Sequence, residues 1–292
     1  MNFINKFLFF TLTLTLITLG ICFSFTRLFD SEKNFSDALD KSGIYSLVSQ
    51  EVKNNLSNDL TKNISYLSKD DLDKIISAIS PLSIRKTVEP IIAQMTNWLK
   101  NPIGNDFSLK ADTEIVRINM VEKADKTLGE DKAAKVKFEI TKSFPDSINI
   151  LALDGGQKNS EEIQKFNQLK AYYQLTNRAV SPLILFSVGT VFLLFFFNIR
   201  RGKKKFNLAA ASFILTGILG LIAYFIFQIF IKNYDMPMTL SIKNKDQISS
   251  ALMINLSKLF FDEIKNYSIL MLIIAAGLFI AGLFLAKSKN KD

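Results

Sequence analysis

Four uncharged, apolar stretches interrupt an otherwise polar chain: Phe7–Thr26, Ala179–Ile199, Phe206–Ile231 and Asn266–Ala286. Each reaches the roughly 20 residues that a helix needs to cross a hydrocarbon core. Inside lipid every backbone N–H and C=O must find a partner within the segment, so all four are expected to be helices. The run Thr11-Leu12-Thr13-Leu14-Thr15-Leu16 alternates like a strand, yet a lone strand cannot cross lipid. Wound as a helix, it places Thr11, Thr15, Thr18 and Cys22 on one face at steps of 4, 3 and 4. Ser212, Thr216 and Gly220 in the third stretch, and Gly277 and Ala281 in the fourth, repeat the arrangement at four-residue steps. Small or weakly polar strips of this kind are helix-packing seams, because they let two backbones approach closely. The first stretch reads as a retained anchor, since its apolar core exceeds the usual 7–15 residues of a cleaved leader.

Residues 28–177 follow a different rule, that of a water-exposed domain built from amphipathic helices. Ile44, Tyr45, Leu47, Val48, Val52 and Leu56 recur at helical spacing. Ser68-Lys69-Asp70-Asp71 resembles a capping-box start, and the helix behind it carries Leu72, Ile75, Ile76 and Ile79 before Ser80-Pro81 ends it. Ile84, Val88, Ile91, Ile92, Met95, Trp98 and Leu99 fall on one side of the next helix, which Pro90 is expected to kink or split. Thr113 is a candidate cap for a helix bearing Ile115, Ile118, Val121 and Leu128, closed by Gly129. From 130 to 158 the pattern weakens. Lys135–Ile140 alternates like a strand, and this part is expected to be extended or irregular, with turns at Phe144-Pro145-Asp146-Ser147 and Gly155-Gly156. A polar helix from Ser160 is expected to run into the second span, with Tyr172, Tyr173 and Arg178 as interfacial anchors. Behind Asp246, the stripe Ile248, Leu252, Leu256, Leu259, Phe260 and Ile264 predicts an amphipathic helix, either on the membrane–water boundary or packed on the domain.

Charge then orients these pieces. Arg200, Arg201, Lys203, Lys204 and Lys205 lie in the short link between the second and third stretches. Short basic loops stay in the cytoplasm, so this turn is expected inside, as are both termini. The formal charge of +9 invites a nucleic-acid reading, but residues 28–177 carry 20 Lys/Arg against 22 Asp/Glu. The excess sits in Lys6, the turn, and Lys287, Lys289 and Lys291, where topology explains it, so no nucleic-acid partner is expected. The same turn is expected to contact anionic lipid headgroups.

The reading is therefore an all-α membrane protein, with four transmembrane helices and a mostly helical extracytoplasmic domain. Its parts are an anchor (1–27), the domain (28–177), a hairpin with a basic cytoplasmic turn (178–232), an outer amphipathic segment (233–265), and a last span with a basic tail (266–292).

Candidate chemistry is thin. The sequence has no histidine and one cysteine, Cys22, which removes intrachain disulfides, Cys/His zinc sites and histidine-based catalysis. Asp70, Asp71 and Asp73, and the pair Asp262 and Glu263, lack the glycine and terminal glutamate of an EF-hand loop. No Asp, Glu, Lys, Arg or His lies inside a span, so intramembrane transport groups are missing, although small residues could line a passive pore made by oligomerisation. Neither catalytic residues nor a cofactor are expected. The abundance of Lys, Asn, Ile and Phe reads as an AT-rich bacterial composition, and the expected role is a non-enzymatic component of the inner membrane whose outer domain binds a protein or envelope ligand; an oligomeric channel or transporter subunit is the alternative.

Tyr45-Ser46-Leu47-Val48 through Leu56, the pattern Leu72…Ile79-Ser80-Pro81…Val88…Ile92…Trp98-Leu99, and Phe144-Pro145-Asp146-Ser147-Ile148 ahead of the second span carry a likeness. The chain resembles a set of uncharacterised bacterial four-pass membrane proteins with a helical extracytoplasmic domain. The resemblance implies a fold and a place in the envelope, and no activity or ligand.

Overall fold

The computed structural model describes residues 3–64, 67–101, 110–143, 147–149, 160–199, 203–233 and 245–288. Within them are ten helices and two three-residue strands, which divide into two compact units. Four helices are long and apolar enough to cross a membrane, as the charge-free stretches require. The chain thus has the helices of a multi-pass membrane protein.

The apolar unit contains α1 (Phe3–Asp30), α8 (Ser160–Phe197) from Ala171, α9 (Lys203–Asn233), and α10 (Lys245–Ser288) from Leu256. Its core is a leucine stripe on α1 (Leu8, Leu12, Leu16, Leu19) closed by Leu194 of α8, Phe213 of α9, and Tyr267, Met271 and Ala275 of α10. Large apolar side chains stand exposed on the other helices, among them Leu185, Phe192, Phe225, Ile273 and Phe284. That is a surface suited to lipid. Helix α1 is the most enclosed of the four candidate spans.

The second unit comprises Glu32–Lys170 and Leu240–Asn255. It is built from α2 (Glu32–Lys41), α3 (Ile44–Asn63), α4 (Lys69–Ile76), α5 (Pro81–Lys100), α6 (Glu114–Leu128) and α7 (Glu130–Ser143). Leu60, Ile75, Ile79, Met120, Val136 and Ile140 are almost wholly removed from solvent in one core. Local chemistry sets the helix ends. Ser68 accepts from the Asp71 amide at 3.2 Å and caps α4. Helix α4 ends at Ile76, before the expected Ser80-Pro81 stop, and Ser80 and Ser83 form a reciprocal capping box with Pro81 in the first turn, which starts α5. Gly43 and Gly129 adopt φ of +72° and +74°, the left-handed turns that pass the chain into α3 and α7.

Several expectations change here. Lys135–Ile140 is helical, as part of α7, with Ala133, Val136 and Ile140 buried at steps of 3 and 4. The alternation of Val136, Phe138 and Ile140 misleads because Phe138 is exposed. A strand exists nearby but at Ser147–Asn149 (β2), paired antiparallel with Lys110–Asp112 (β1). The Gln94 side chain holds β1 on its other edge, donating to the Lys110 carbonyl and accepting from its amide, both at 3.1 Å. Helix α5 runs through Pro90 as one element; Pro90 and Lys86 are exposed, so the carbonyl that loses its helical partner can reach water. Thr113 makes no side-chain cap; the Glu114 amide bonds the Asp112 carboxylate instead, at 2.9 Å. The amphipathic segment and the fourth span are one 44-residue helix, α10, about 66 Å long at the standard rise. Its Leu252 packs on the core of the second unit, while from Leu256 onward the expected stripe belongs to the apolar unit. The polar helix from Ser160 does run without interruption into the second span. Of the turn expected at Phe144–Ser147, residues 144–146 lie outside the described residues and Ser147 opens β2; Gly155-Gly156 also lies outside them.

Candidate functional site

Polar side chains in the apolar unit are used to fasten helices. Asn5 of α1 and Asn198, just beyond α8, exchange a reciprocal pair of amide hydrogen bonds at 3.0 and 2.9 Å, both side chains being buried. At the other end of the same helices Tyr173 Oη donates to Asp30 Oδ1 at 2.9 Å. Asn5 and Asp30 are 25 residues apart, as are Tyr173 and Asn198. Two antiparallel rods of equal length are therefore clasped at both ends, about 37 Å apart. Midway, Tyr267 of α10 donates to the Leu16 carbonyl at 2.8 Å. Its ring fills the place where Gly20 lacks a Cβ, which would lie 2.6 Å from Tyr267 Cε1.

The residues expected to form packing seams are placed as follows. Thr11 is half-buried, Thr15 and Cys22 are buried, and Thr18 is exposed. Thr15 and Thr18 hydroxyls bond back to carbonyls of their own helix, at 2.8 and 3.0 Å. Ser212 reaches across to the Phe9 carbonyl at 3.4 Å, whereas Thr216 bonds the Ser212 carbonyl. A Cβ at Gly220 would collide with Ser268 Oγ of α10, and one at Gly217 with the Ser268 carbonyl and Leu272. Gly277 is open, with nothing within 4 Å of its would-be Cβ, and Ala281 is half-buried. Arg200 and Arg201 lie outside the described residues; Lys203, Lys204 and Lys205 form the first turn of α9. Cations at the positive end of a helix dipole are unfavourable by about 0.3–1 kcal/mol each.

The concave surface of the molecule's second unit lies between α2, α3 and α5. One groove, of about 240 Å³, is wholly apolar and is lined by Phe35, Leu39, Ile44, Val48, Val88 and Met95 among others. A second cavity of about 250 Å³ adjoins it, shares Ile92, and is lined by Glu32, Lys33, Ser36, Arg85 and Glu89. A chain of polar contacts rims them. Asp40 Oδ2 lies 3.4 Å from Arg85 Nη1, and Arg85 Nε donates to Glu89 Oε1 at 2.8 Å. Ser36 Oγ donates to the same carboxylate at 3.3 Å and lies 3.3 Å from Tyr45 Oη. Since Ser36 has one proton to give, Tyr45 is the donor to it. Burial pushes the Tyr45 phenol above its ordinary range, with the Arg85 charge acting the other way.

No protein family matches the sequence, and no match was found among curated proteins or solved structures. The geometry alone must carry the functional reading. The Arg85 guanidinium sits between two carboxylates and its charge is compensated there, an arrangement that fastens α5 to α2. Among the described residues no three His, Cys, Asp or Glu side chains gather as a metal-binding group. Asp70 and Asp71 sit in the first turn of α4, and Asp262 pairs with Lys265 at 3.2 Å. The groove was hidden in the sequence because its walls come from three helices whose apolar stripes also make the core. Only the Arg85–Glu89 spacing of four residues hints at the rim.

Proposed function

We propose that the chain is a non-enzymatic, multi-pass component of a bacterial inner membrane, with both termini in the cytoplasm and the helical unit outside. That unit binds an envelope ligand or protein in the groove between α2, α3 and α5, and the four-helix unit anchors it. The observation that supports this reading is an open, half-apolar, half-charged concavity on a unit that has its own core. In the apolar unit, by contrast, the amides of Asn5 and Asn198 are spent on each other. The basic turn at Arg200–Lys205 faces the cytoplasm and anionic headgroups in this reading.

A photo-crosslinking residue at Met95 in living cells should give a discrete adduct. The same residue at Phe138, exposed on α7 and no part of the groove, should give none. No adduct at Met95, or equal adducts at both, would refute the assignment of the groove.

A second reading, an oligomeric channel or transporter subunit, draws on Ser24 and Ser187, whose buried hydroxyls have no hydrogen-bond partner. It requires ion or solute flux across vesicles containing the purified protein, and sealed vesicles would remove it.

A further inference from the structure

We infer that the groove between α2, α3 and α5 holds one acyl chain of a phospholipid from the outer leaflet, with its headgroup over the Lys33–Arg85 cavity. The inference rests on the reading that this unit lies outside the membrane and names the ligand of that site.

Three observations converge on an amphiphile. The groove exposes no polar surface along its lining, the hydroxyl of its Tyr45 being engaged with Ser36, so an extended peptide laid in it would bury backbone N–H and C=O groups without partners. A hydrocarbon chain has none to satisfy. The adjoining cavity changes character abruptly across Ile92 and presents two cations, Lys33 and Arg85, beside two carboxylates, Glu32 and Glu89. That mixed pattern complements a phosphate joined to an ammonium, as in phosphatidylethanolamine, better than a singly charged group. Lys33 and Glu32 are exposed and able to meet it, while Arg85 is already braced by Asp40 and Glu89.

Chain length supplies the third. Helix α2 begins two residues after α1 ends, and Phe35 follows Asp30 by only five residues. Even a fully extended chain holds Phe35 within about 18 Å of the end of that span. The groove's first wall is therefore tethered near the membrane surface, where phospholipid is the most concentrated amphiphile. Because α2 is a helix rising only about 1.5 Å per residue, the real distance along it is shorter.

The test uses the full chain in nanodiscs containing a phosphatidylethanolamine with a photoreactive diazirine on one acyl chain. After irradiation and digestion, adducts are expected on residues 35–48 and 88–95 as well as on the four spans. Met95→Glu places a carboxylate in the groove and should cut the groove adducts about tenfold. Val48→Trp should do the same by filling the space, and the span adducts serve as the internal standard in both. Adducts confined to the spans, or groove adducts untouched by both substitutions, would overturn the inference. An impermeant thiol label at Lys41→Cys on intact cells separates the two levels. Labelling there without groove adducts sinks the lipid alone, whereas no labelling there sinks the outside placement and the lipid together.

Discussion

The Asn5–Asn198 pair is the residue contact most exposed to a direct test. Each amide is buried and bonds the other, and Asn198 Nδ2 also donates to the Leu194 carbonyl at 2.9 Å. Removing one alone leaves a polar group unpaired in an apolar setting, a loss of about 1–3 kcal/mol. Asn5→Leu and Asn198→Leu should each lower thermal stability in detergent, and the double variant should recover part of the loss. Strict additivity in that cycle would show that the pair does not interact. Tyr45 gives a second test, through pH. Burial raises its pKa above the ordinary value of 10, so the folded state keeps its proton where the unfolded chain gives it up. Its contribution is whole below pH 10 and is lost as pH rises through the folded value. Tyr45→Phe should therefore lose less stability than the parent between pH 9 and 11, and equal losses would contradict the assignment. Residue roles of this kind were scarcely legible beforehand. The spacing of Thr11, Thr15, Thr18 and Cys22 is plain in the sequence, but the hydroxyls of Thr15 and Thr18 bond their own helix, and the leucine stripe beside them carries the contact.

At the scale of elements, legibility tracked how strictly lipid or capping chemistry constrains a segment. All four charge-free stretches were legible as helix because hydrocarbon permits nothing else there, although two of the candidate spans begin well upstream, at Gln164 rather than Ala179 and at Leu252 rather than Asn266. Ser68 and Gly129 marked helix ends for equally local reasons. In α7, Val136, Phe138 and Ile140 imitate a strand of period 2, and only tertiary packing reveals that Phe138 points away from the core. Helix α2 was missed because ten residues with few apolar positions carry too little pattern, although Ala38 and Leu39 are buried. The merging of the amphipathic segment with the last span was invisible for the opposite reason: each half obeys its own rule, and nothing breaks the helix between them. If α7 belongs to the core, Ile140→Ala should destabilise its unit by about 2–5 kcal/mol. Trp98 is the only tryptophan in the chain and lies in that unit, so its fluorescence reports the loss without interference from the other. A change below about 0.5 kcal/mol, the range of surface substitutions, would refute the helical placement.

For the whole molecule, orientation is the property on which the functional reading depends. Cysteines introduced one at a time at Lys41, Lys142, Gly202 and Ser250, in a Cys22→Ala background, should answer it. Impermeant reagent on intact cells is expected to label positions 41, 142 and 250 and to spare 202. Labelling at Gly202 would reverse the molecule in the membrane and remove the outer site with it. The enclosure of α1 also bears on how the protein is made. The helix that emerges first is the one against which the other three lean, through Asn198, Phe213 and Tyr267. Translation at about 5–20 residues per second puts about 10–40 s between the appearance of Asn5 and that of Asn198. Through that interval α1 must wait in the bilayer with a bare asparagine near one end and an uncovered glycine notch in the middle. Messages truncated before α8 should yield a protein that quality-control proteases remove.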